Sequence, residues 1–552
     1  MRNILKNTKV IHIAIIVLGI IFISLAAFHN SIWFDESYSV AISNHSFGEI
    51  WTIGGHDVHP VLYYWILHII RMIFGNQIML YKLFSVVAFA ILGIIGYTHI
   101  RKDFGEKVGM LFSFFVFFLP LNVIYAGQVR MYPLAMLLVT LTAIYAYRIF
   151  AAKEKCSIKN WILFGAFSLA AAYTHYYALA AAVVINALLF IYLLVQAIKE
   201  KKFTTNLKAF IITGAVQIVA YLPWLVYLLL QASQVSNGYW IEFYFPETLI
   251  EMFTFQFVGN LQETKYMSDY VAIGLGLLVI ISIIFLLIKN RKRNLCSVSE
   301  NKEKAESFNG KNTPAKLAIA AYILVILVVC IASAVVGRSI LYARYLLCIT
   351  GLLIFCISFI LGKYGNKCIV LVVCVASVVL ATYTNVGLIQ TNYDETNSQP
   401  IDYLRENIQE GDILVYGNEG EPFVVSANFP DVKQYFWDEA DWKVDEAYKA
   451  YGPNMEIIHS LDALEDYTGR VWVINRTNYA IADSIEEELG RKSNWKTRIP
   501  NSIRELSIHN HPNATLKFRF GDRSHNEKNF VLGTHLMTKF FRSPCYTAHN
   551  MI

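Results

Sequence analysis

Long apolar runs separated by short polar turns fill the chain up to about residue 390. Eleven of these runs are long enough to cross roughly 30 Å of hydrocarbon as helices. They lie near residues 10–28, 78–99, 107–125, 131–150, 161–175, 178–198, 209–229, 269–288, 317–336, 345–362 and 368–386. A shorter apolar run at 60–75 contains His68 and Arg71, so we expect a re-entrant or interfacial helix there. If it spans the membrane, the total becomes twelve or thirteen.

The periodicity changes after Thr391, where a polar linker precedes an amphipathic segment. Strands are expected at 412–417 and 471–475, and a helix is expected at 481–489. This pattern predicts a small α/β domain over 391–495.

The predicted fold class is therefore an α-helical polytopic membrane protein with about 11–13 transmembrane helices and a C-terminal extracytoplasmic α/β domain. Residues 1–390 would form the transmembrane part, with an outer loop at 29–59. Residues 496–552 are left as a tail of unknown structure, since their scattered histidines lack the spacing of a zinc site.

Lysines and arginines between the runs fall on one side of the membrane if successive spans alternate in direction. Short cytoplasmic loops carry such an excess, so the amino terminus is predicted to be cytoplasmic. The 29–59 loop, the turns at 126–131, 173–177 and 337–344, and the α/β domain would then lie outside. No A-x-A-like cleavage site follows the first run, which is expected to remain as an anchor.

Composition supports a membrane protein and argues against nucleic-acid binding, a disulfide framework and a cysteine metal site. Hydrophobic residues make up 56% of the 552 residues, charged residues make up 16%, and the mean hydropathy is +0.43. The formal charge of +6 is spread over predicted cytoplasmic loops that face anionic lipid, so nucleic-acid binding is not expected. Eight cysteines form no CxxC pair, so neither a disulfide framework nor a cysteine metal site is indicated.

Candidate chemistry is concentrated in the 29–59 loop, where acidic residues and histidines occur without Lys or Arg. Asp35 and Glu36 are adjacent carboxylates just past a membrane exit, where a general base could meet a lipid-borne substrate. The alternative is that they only cap the N-terminus of an interfacial helix. His56, Asp57 and His59 have a spacing that could hold a divalent ion, but no metal is predicted.

Three arginines, Arg130, Arg338 and Arg344, lie in predicted outer turns, against the general bias. Cations kept there suggest anion binding, with headgroup anchoring as the alternative. His175 lies among tyrosines that could equally form an interfacial aromatic belt.

Several short motifs follow one another along the first 347 residues. They are WFDESYSVA at 33–41, HPVLYYW at 59–65, YAGQVRMYPL at 125–134, YTHYYAL at 173–179, Leu-Pro-Trp at 222–224 and YARYLL at 342–347. In this order they resemble polytopic glycosyltransferases of the C superfamily, in the branch of the protein O-mannosyltransferases and the lipid A aminoarabinose transferase. Two positions depart from the family pattern: Lys82 stands where an Arg is common, and Val61 replaces the second Pro of His-Pro-Pro.

The resemblance implies transfer of a sugar from a polyprenyl-phosphate donor to an acceptor at the outer face, with inversion. Asp35, with Glu36 as the other catalytic carboxylate, would accept the proton of the acceptor hydroxyl. The implied donor-phosphate ligands are Arg130, Tyr132, His175, Arg338, Arg344 and Tyr345. His59, Tyr63 and Lys82 are the implied substrate-binding residues. No cofactor is expected, and neither a GxGxxG motif nor a P-loop is present.

The predicted protein is thus a multi-pass glycosyltransferase of the cell membrane whose acceptor is a protein, a glycolipid or a wall polymer. A lipid or glycan transporter or flippase would also be polytopic, but it would usually hold ionisable residues near the bilayer midplane. A glycan polymerase or ligase is the closest enzymatic alternative, and a large late outer loop would be expected there.

Overall fold

The structure is a computed structural model of the 552-residue chain. It describes residues 7–152, 155–258, separate positions between 271 and 288, and residues 312–394, 398–417, 422–437, 445–464, 467, 469–475, 504–509 and 515–520.

Seven helices in the described part of the chain are long and apolar enough to cross a membrane. They are Ile78–Phe104, Tyr132–Phe150, Tyr176–Glu200, Thr205–Asn237, Thr313–Val336, Ala343–Tyr364 and Lys367–Asn392. Within them, Gly96–Ile100 is a π-helical turn and Ala343–Ile349 is a 3₁₀ helix. Glu106–Phe118 and Pro120–Ala126 form an eighth span if the pair, bent by 58°, is counted as one.

Each of the eleven predicted runs coincides with a helix or with this bent pair, so the polytopic helical fold is confirmed. Three of the eleven correspond to the shorter apolar helices Thr8–Ser24, Ile158–Ala172 and Gly276–Leu286. At 1.5 Å per residue, the first two are shorter than the hydrocarbon layer. The third adjoins residues outside the described ranges. The apolar run at 60–75 forms Leu62–Phe74, and its interfacial placement stays a prediction.

The bend at Leu119 has a local cause. Pro120 has no N–H to continue the helical hydrogen bonding, and Leu119 is extended, with φ −87° and ψ 124°. The chain then leaves Pro120–Ala126 and enters the turn at residues 127–131, which carries Arg130.

Two short helices, Phe34–Ile42 and Phe47–His56, form most of the predicted outer loop. Each helix has a glutamate at its third position, and the side chain of this glutamate accepts a backbone N–H from the residue before the helix. The Trp33 N–H donates to Glu36 Oε2 at 3.2 Å, and the Ser46 N–H donates to Glu49 Oε2 at 2.8 Å. At the second helix the cap is reciprocal, because Ser46 Oγ accepts the Glu49 N–H at 3.4 Å, whereas at the first only the glutamate side chain takes part.

The C-terminal region forms a sheet with helices around it. The strands are β1 (Ile413–Tyr416), β2 (Lys433–Trp437), β3 (Met455–Ile458), β4 (Val471–Asn475), β5 (Arg504–His509) and β6 (Thr515–Phe520). Described helices in this region are Gln399–Asn407, Pro422–Asn428, Asp445–Tyr448 and the 3₁₀ turns Lys449–Tyr451 and Leu461–Leu464.

The order of the strands is β3-β2-β1-β4-β6-β5, with only β5 antiparallel to its neighbour. In the central register, Leu414 lies opposite Gln434 on one side and Trp472 on the other. All four residues of β1 are buried, as expected for a strand in the middle of a parallel sheet. The strands predicted at 412–417 and 471–475 are confirmed as β1 and β4, whereas the helix predicted at 481–489 lies outside the described residues. β5 and β6 fall in the segment predicted as a tail of unknown structure.

Close backbone contact joins Ile78–Phe104 to Glu106–Phe118. A Cβ atom built on Gly109 would lie 2.5 Å from the Gly96 carbonyl oxygen and 2.7 Å from the Arg101 Cα. Small residues allow such approach in membrane helices.

Gly109→Ala should therefore lower the free energy of unfolding by about 1–3 kcal/mol, because the neighbouring backbone must move. Gly214→Ala is the matched control, since nothing lies within 4 Å of a Cβ at Gly214. Unfolding midpoints in detergent check this prediction. Equal midpoints for the two variants would contradict it.

Candidate active site

Asp35 occupies the first turn of Phe34–Ile42 and forms an ion pair with Arg344. The two residues are 309 positions apart, and their side chains are 25% and 11% exposed. The Arg344 guanidinium also donates to the Tyr342 hydroxyl at 3.0 Å and lies 5.1 Å from the Trp33 ring centroid. Asp35 therefore combines a defined partner with access from outside the protein.

Glu36, the next residue, is surrounded differently and is 2% exposed. Its Oε1 accepts from Lys82 Nζ at 2.9 Å and from the Val129 N–H at 2.7 Å. Its Oε2 accepts from the Trp33 N–H at 3.2 Å. Lys82 is 1% exposed and donates its remaining observed bond to the Gly127 carbonyl at 3.1 Å. Glu36 thus binds the protein's own donors.

The turn at residues 127–130 is fixed residue by residue. Besides the contacts of Gly127 and Val129, the Gln128 carbonyl accepts from Ser85 Oγ at 2.6 Å. Arg130 Nη1 donates to the backbone carbonyl of Asp35 at 2.6 Å. This set of bonds brings the Arg130 guanidinium to the helix that carries Asp35.

Buried polar donors surround this arrangement. Arg130 is 6% exposed, and its Nε has no hydrogen-bond partner among the described residues. The same holds for the Tyr64 hydroxyl and the Trp33 indole N–H. Since buried donors are nearly always paired in native proteins, their concentration here indicates a site that receives a ligand.

Tyr132, His175 and Tyr345 form one aromatic cluster. The His175 ring centroid lies 5.0 Å from that of Tyr345 and 5.5 Å from that of Tyr132. His175 Nδ1 accepts the Tyr177 N–H at 3.1 Å, so the proton of the neutral ring is on Nε2. Burial, with smaller effects of His59 and Arg130, lowers the pKa of His175 to about 3. At neutral pH this side chain is an uncharged hydrogen-bond donor.

His59 and Tyr63 extend the site on the side of the helix Leu62–Phe74. The His59 ring lies 4.6 Å from the Tyr38 ring, and its Nδ1 is 3.7 Å from Asp57 Oδ2. Tyr63 is fully buried, with its ring 5.6 Å from that of Tyr64. Tyr63 therefore packs against Tyr64 in the protein interior.

Two of the predicted residues differ from the others in position. Lys82 is buried against Glu36, as described above. Arg338 is exposed in the turn before Ala343–Ile349, and no hydrogen bond or ion pair joins it to another residue of the described ranges. The remaining predicted residues lie around Asp35 and Arg130.

The structure adds Trp33, Tyr64 and Tyr342 to the residues selected from the sequence, and it places Asp57, considered above only as a metal ligand, beside His59. Each lies one or two positions from a selected residue, and this adjacency was the available signal. Tyr342 lies two positions before Arg344 and accepts its hydrogen bond. Asp57 is 8% exposed and lies beside His59.

His56 Nδ1 donates to the Thr52 carbonyl of its own helix at 2.8 Å. Within the ranges that the structure describes, no group of three or more His, Cys, Asp or Glu side chains could hold a metal ion.

The contrast between the two carboxylates gives a test. Glu36→Gln leaves the Lys82 ammonium buried without its counter-charge, so unfolding free energy should fall by about 3–5 kcal/mol. Asp35→Asn should leave the unfolding midpoint in detergent nearly unchanged, because its side chain is partly exposed. The double variant Glu36→Gln/Lys82→Met should recover part of the loss. Equal midpoints for the two single variants would contradict this assignment.

Comparisons with known proteins agree with this architecture. Residues 58–227 match the family described as dolichyl-phosphate-mannose-protein mannosyltransferase. No curated protein sequence matches the chain.

Two solved structures share its fold. ArnT from Cupriavidus metallidurans in the apo state is 11% identical with a TM-score of 0.55, and the match covers 89% of this chain and 96% of that one. The same protein bound to undecaprenyl phosphate is 12% identical with a TM-score of 0.52, over the same shares of both chains. The predicted resemblance to polytopic glycosyltransferases of the C superfamily is therefore confirmed, in the family's sequence pattern over residues 58–227 and in the fold over most of the chain.

Proposed function

We propose that this protein is a membrane glycosyltransferase that transfers a sugar from a polyprenyl phosphate to an acceptor, with inversion. The observation that carries the proposal is the position of Asp35, a partly exposed carboxylate paired with Arg344 and held at its backbone by Arg130. A base and two guanidinium groups thus lie together, as the reaction requires. The undecaprenyl phosphate bound to ArnT supports the donor class.

In the proposed reaction, the acceptor hydroxyl oxygen attacks the anomeric carbon and Asp35 accepts the hydroxyl proton. The bond between the anomeric carbon and the phosphate oxygen breaks, and its electron pair leaves with the lipid phosphate. One displacement inverts the anomeric centre.

The departing phosphate gains negative charge, which needs donors already in place. Arg344 and Arg130 supply charge-assisted hydrogen bonds, and guanidinium geometry suits a phosphate. Neutral His175 and the hydroxyls of Tyr132 and Tyr345 would add uncharged donors. When donor is bound, the Arg344 guanidinium would be shared between Asp35 and the phosphate.

Glu36 and Lys82 have a different proposed role. Their buried ion pair joins the Asp35 helix to the turn that carries Arg130, so we assign them to positioning rather than to contact with substrate. Arg338, exposed and without a described partner, fits headgroup anchoring better than donor binding. His59 and Tyr63 remain candidates for sugar contacts.

The site is proposed to face outward, with the amino terminus cytoplasmic. The residues around Asp35 and His175 come from the turns at 29–33, 127–131, 173–177 and 337–344, which the alternation of spans predicts on one side. The charged loops between the other helix ends are the expected cytoplasmic side. The α/β domain would then be extracytoplasmic.

Asp35→Asn should lower transfer about 10²- to 10⁴-fold, the usual contribution of a general base. The assay would follow radiolabel leaving a panel of undecaprenyl-phosphate hexoses and pentoses in detergent, with a membrane extract supplying acceptors. Glu49→Gln is the control, because Glu49 is an exposed carboxylate of the neighbouring helix. Near-normal turnover by Asp35→Asn would refute the assignment of the base.

Arg344→Ala should weaken binding of undecaprenyl phosphate by roughly 10- to 100-fold, the value of a lost charge-assisted hydrogen bond. Arg338→Ala is the matched control six positions earlier, and its affinity should stay within about threefold of wild type. Titration with labelled undecaprenyl phosphate in detergent measures both. The phosphate assignment fails if Arg338→Ala has the larger effect.

A further inference from the structure

The helix Phe34–Ile42 is enclosed from two directions. On one side, Glu36 meets Lys82 of a membrane-spanning helix. Another side of the helix contacts the α/β domain, which begins more than 350 residues later in the chain. Residues Glu36 to Ile42 are all buried as a result.

The α/β domain packs against Phe34–Ile42 through the helix Pro422–Asn428 and through Tyr451, which makes the aromatic contacts. Its ring centroid lies 5.9 Å from that of Phe34, with the planes within 11° of parallel, and 5.6 Å from that of Tyr38 in an edge-on arrangement. Phe34 is the residue directly before Asp35. Tyr451 is 4% exposed, so this contact excludes water.

Tyr451 is itself held firmly within its own domain. Its ring stacks on Phe423 at 4.0 Å between centroids, with an interplanar angle of 14°. Its backbone carbonyl accepts from Ser426 Oγ at 2.5 Å. The Tyr451 ring therefore links the α/β domain to the helix that carries Asp35.

A second contact lies just past the other end of this helix. His45 Nε2 is 2.7 Å from the Lys449 carbonyl oxygen, and because a carbonyl only accepts, Nε2 donates. His45 is 4% exposed. The helix is thus fixed to the α/β domain near both of its ends.

A nine-residue helix depends on such contacts. Helices this short are marginal on their own, so tertiary packing determines whether and where they form. A misplacement of about 1 Å at a catalytic group can reduce the rate of a reaction ~10²-fold.

We propose that the α/β domain contributes to the active site through Tyr451. Tyr451 is a positioning residue: it holds the helix Phe34–Ile42 so that Asp35 stays aligned with its substrates. This inference rests on the proposed function and deepens it, because it gives the domain a role in the chemical step as well as any role in acceptor choice.

The test compares three variants of the full-length chain in detergent. Tyr451→Ala removes the ring, and Tyr451→Phe keeps it. Trp472→Leu is the control, because Trp472 is a buried aromatic residue of β4 whose hydrogen bond goes to Asp412 inside the domain. Transfer is measured with the panel of undecaprenyl-phosphate sugars, and hydrogen exchange by mass spectrometry follows residues 33–42.

Tyr451→Ala should lower kcat about tenfold or more, with a much smaller change in the KM for donor. It should also speed hydrogen exchange in residues 33–42. Tyr451→Phe should restore both values, and Trp472→Leu should leave both near wild type.

Two results would overturn the proposal. One is unchanged kcat in Tyr451→Ala with only a raised KM for acceptor, which would make the domain a selector of acceptors. The other is unchanged exchange in residues 33–42. If the wild-type protein releases no sugar from any donor of the panel, the proposed function fails instead, and the exchange data still decide whether Tyr451 holds the helix.

Discussion

The carboxylate of Glu36 and the ammonium of Lys82 are both almost fully buried, and neither charge could be buried alone without a large loss of stability. Their ion pair therefore constrains how the helix Phe34–Ile42 packs against its neighbours. The pair forms only when the helix Phe34–Ile42 lies against Ile78–Phe104 and against the turn at 127–130. The same turn supplies the Val129 N–H to Glu36 and Arg130 to the Asp35 carbonyl.

This arrangement separates two neighbouring carboxylates by function. Successive residues on a helix point about 100° apart, so one carboxylate can face the interior while the next faces a cleft. Glu36 uses its oxygens on internal donors, whereas Asp35 meets Arg344 at a partly exposed position. The buried Glu36 thus positions the helix that carries Asp35. The α/β domain contacts another side of this helix through Tyr451.

Much of the fold could be predicted from the sequence, because long apolar runs give a strong signal. The number of spans was harder to predict, since a bend at Leu119 and helices of 10–17 residues depend on packing. The strands β2 and β3 were missed, because Lys433, Gln434 and Glu456 interrupt the apolar runs that made β1 and β4 recognisable at the same lengths.

In the site, too, some residues could be predicted from the sequence and some contacts could not. Asp35, Arg130 and Arg344 stand out because charged residues are rare at predicted outer turns of such a chain. The motif YARYLL contains Arg344 and not Arg338, but only the fold shows that the 3₁₀ helix brings Arg344 to Asp35. The pairing of Glu36 with Lys82 and the contact of Phe34 with Tyr451 join distant segments, which no local pattern reports.

The proposed reaction requires Asp35 and the lipid phosphate to share one site. The most direct measurement is an experimental structure of the protein with undecaprenyl phosphate bound. We expect the phosphate within hydrogen-bonding distance of Arg344, beside His175 and Arg130, and next to the Asp35 carboxylate. A phosphate bound at Arg338, or anywhere remote from Asp35, would contradict it.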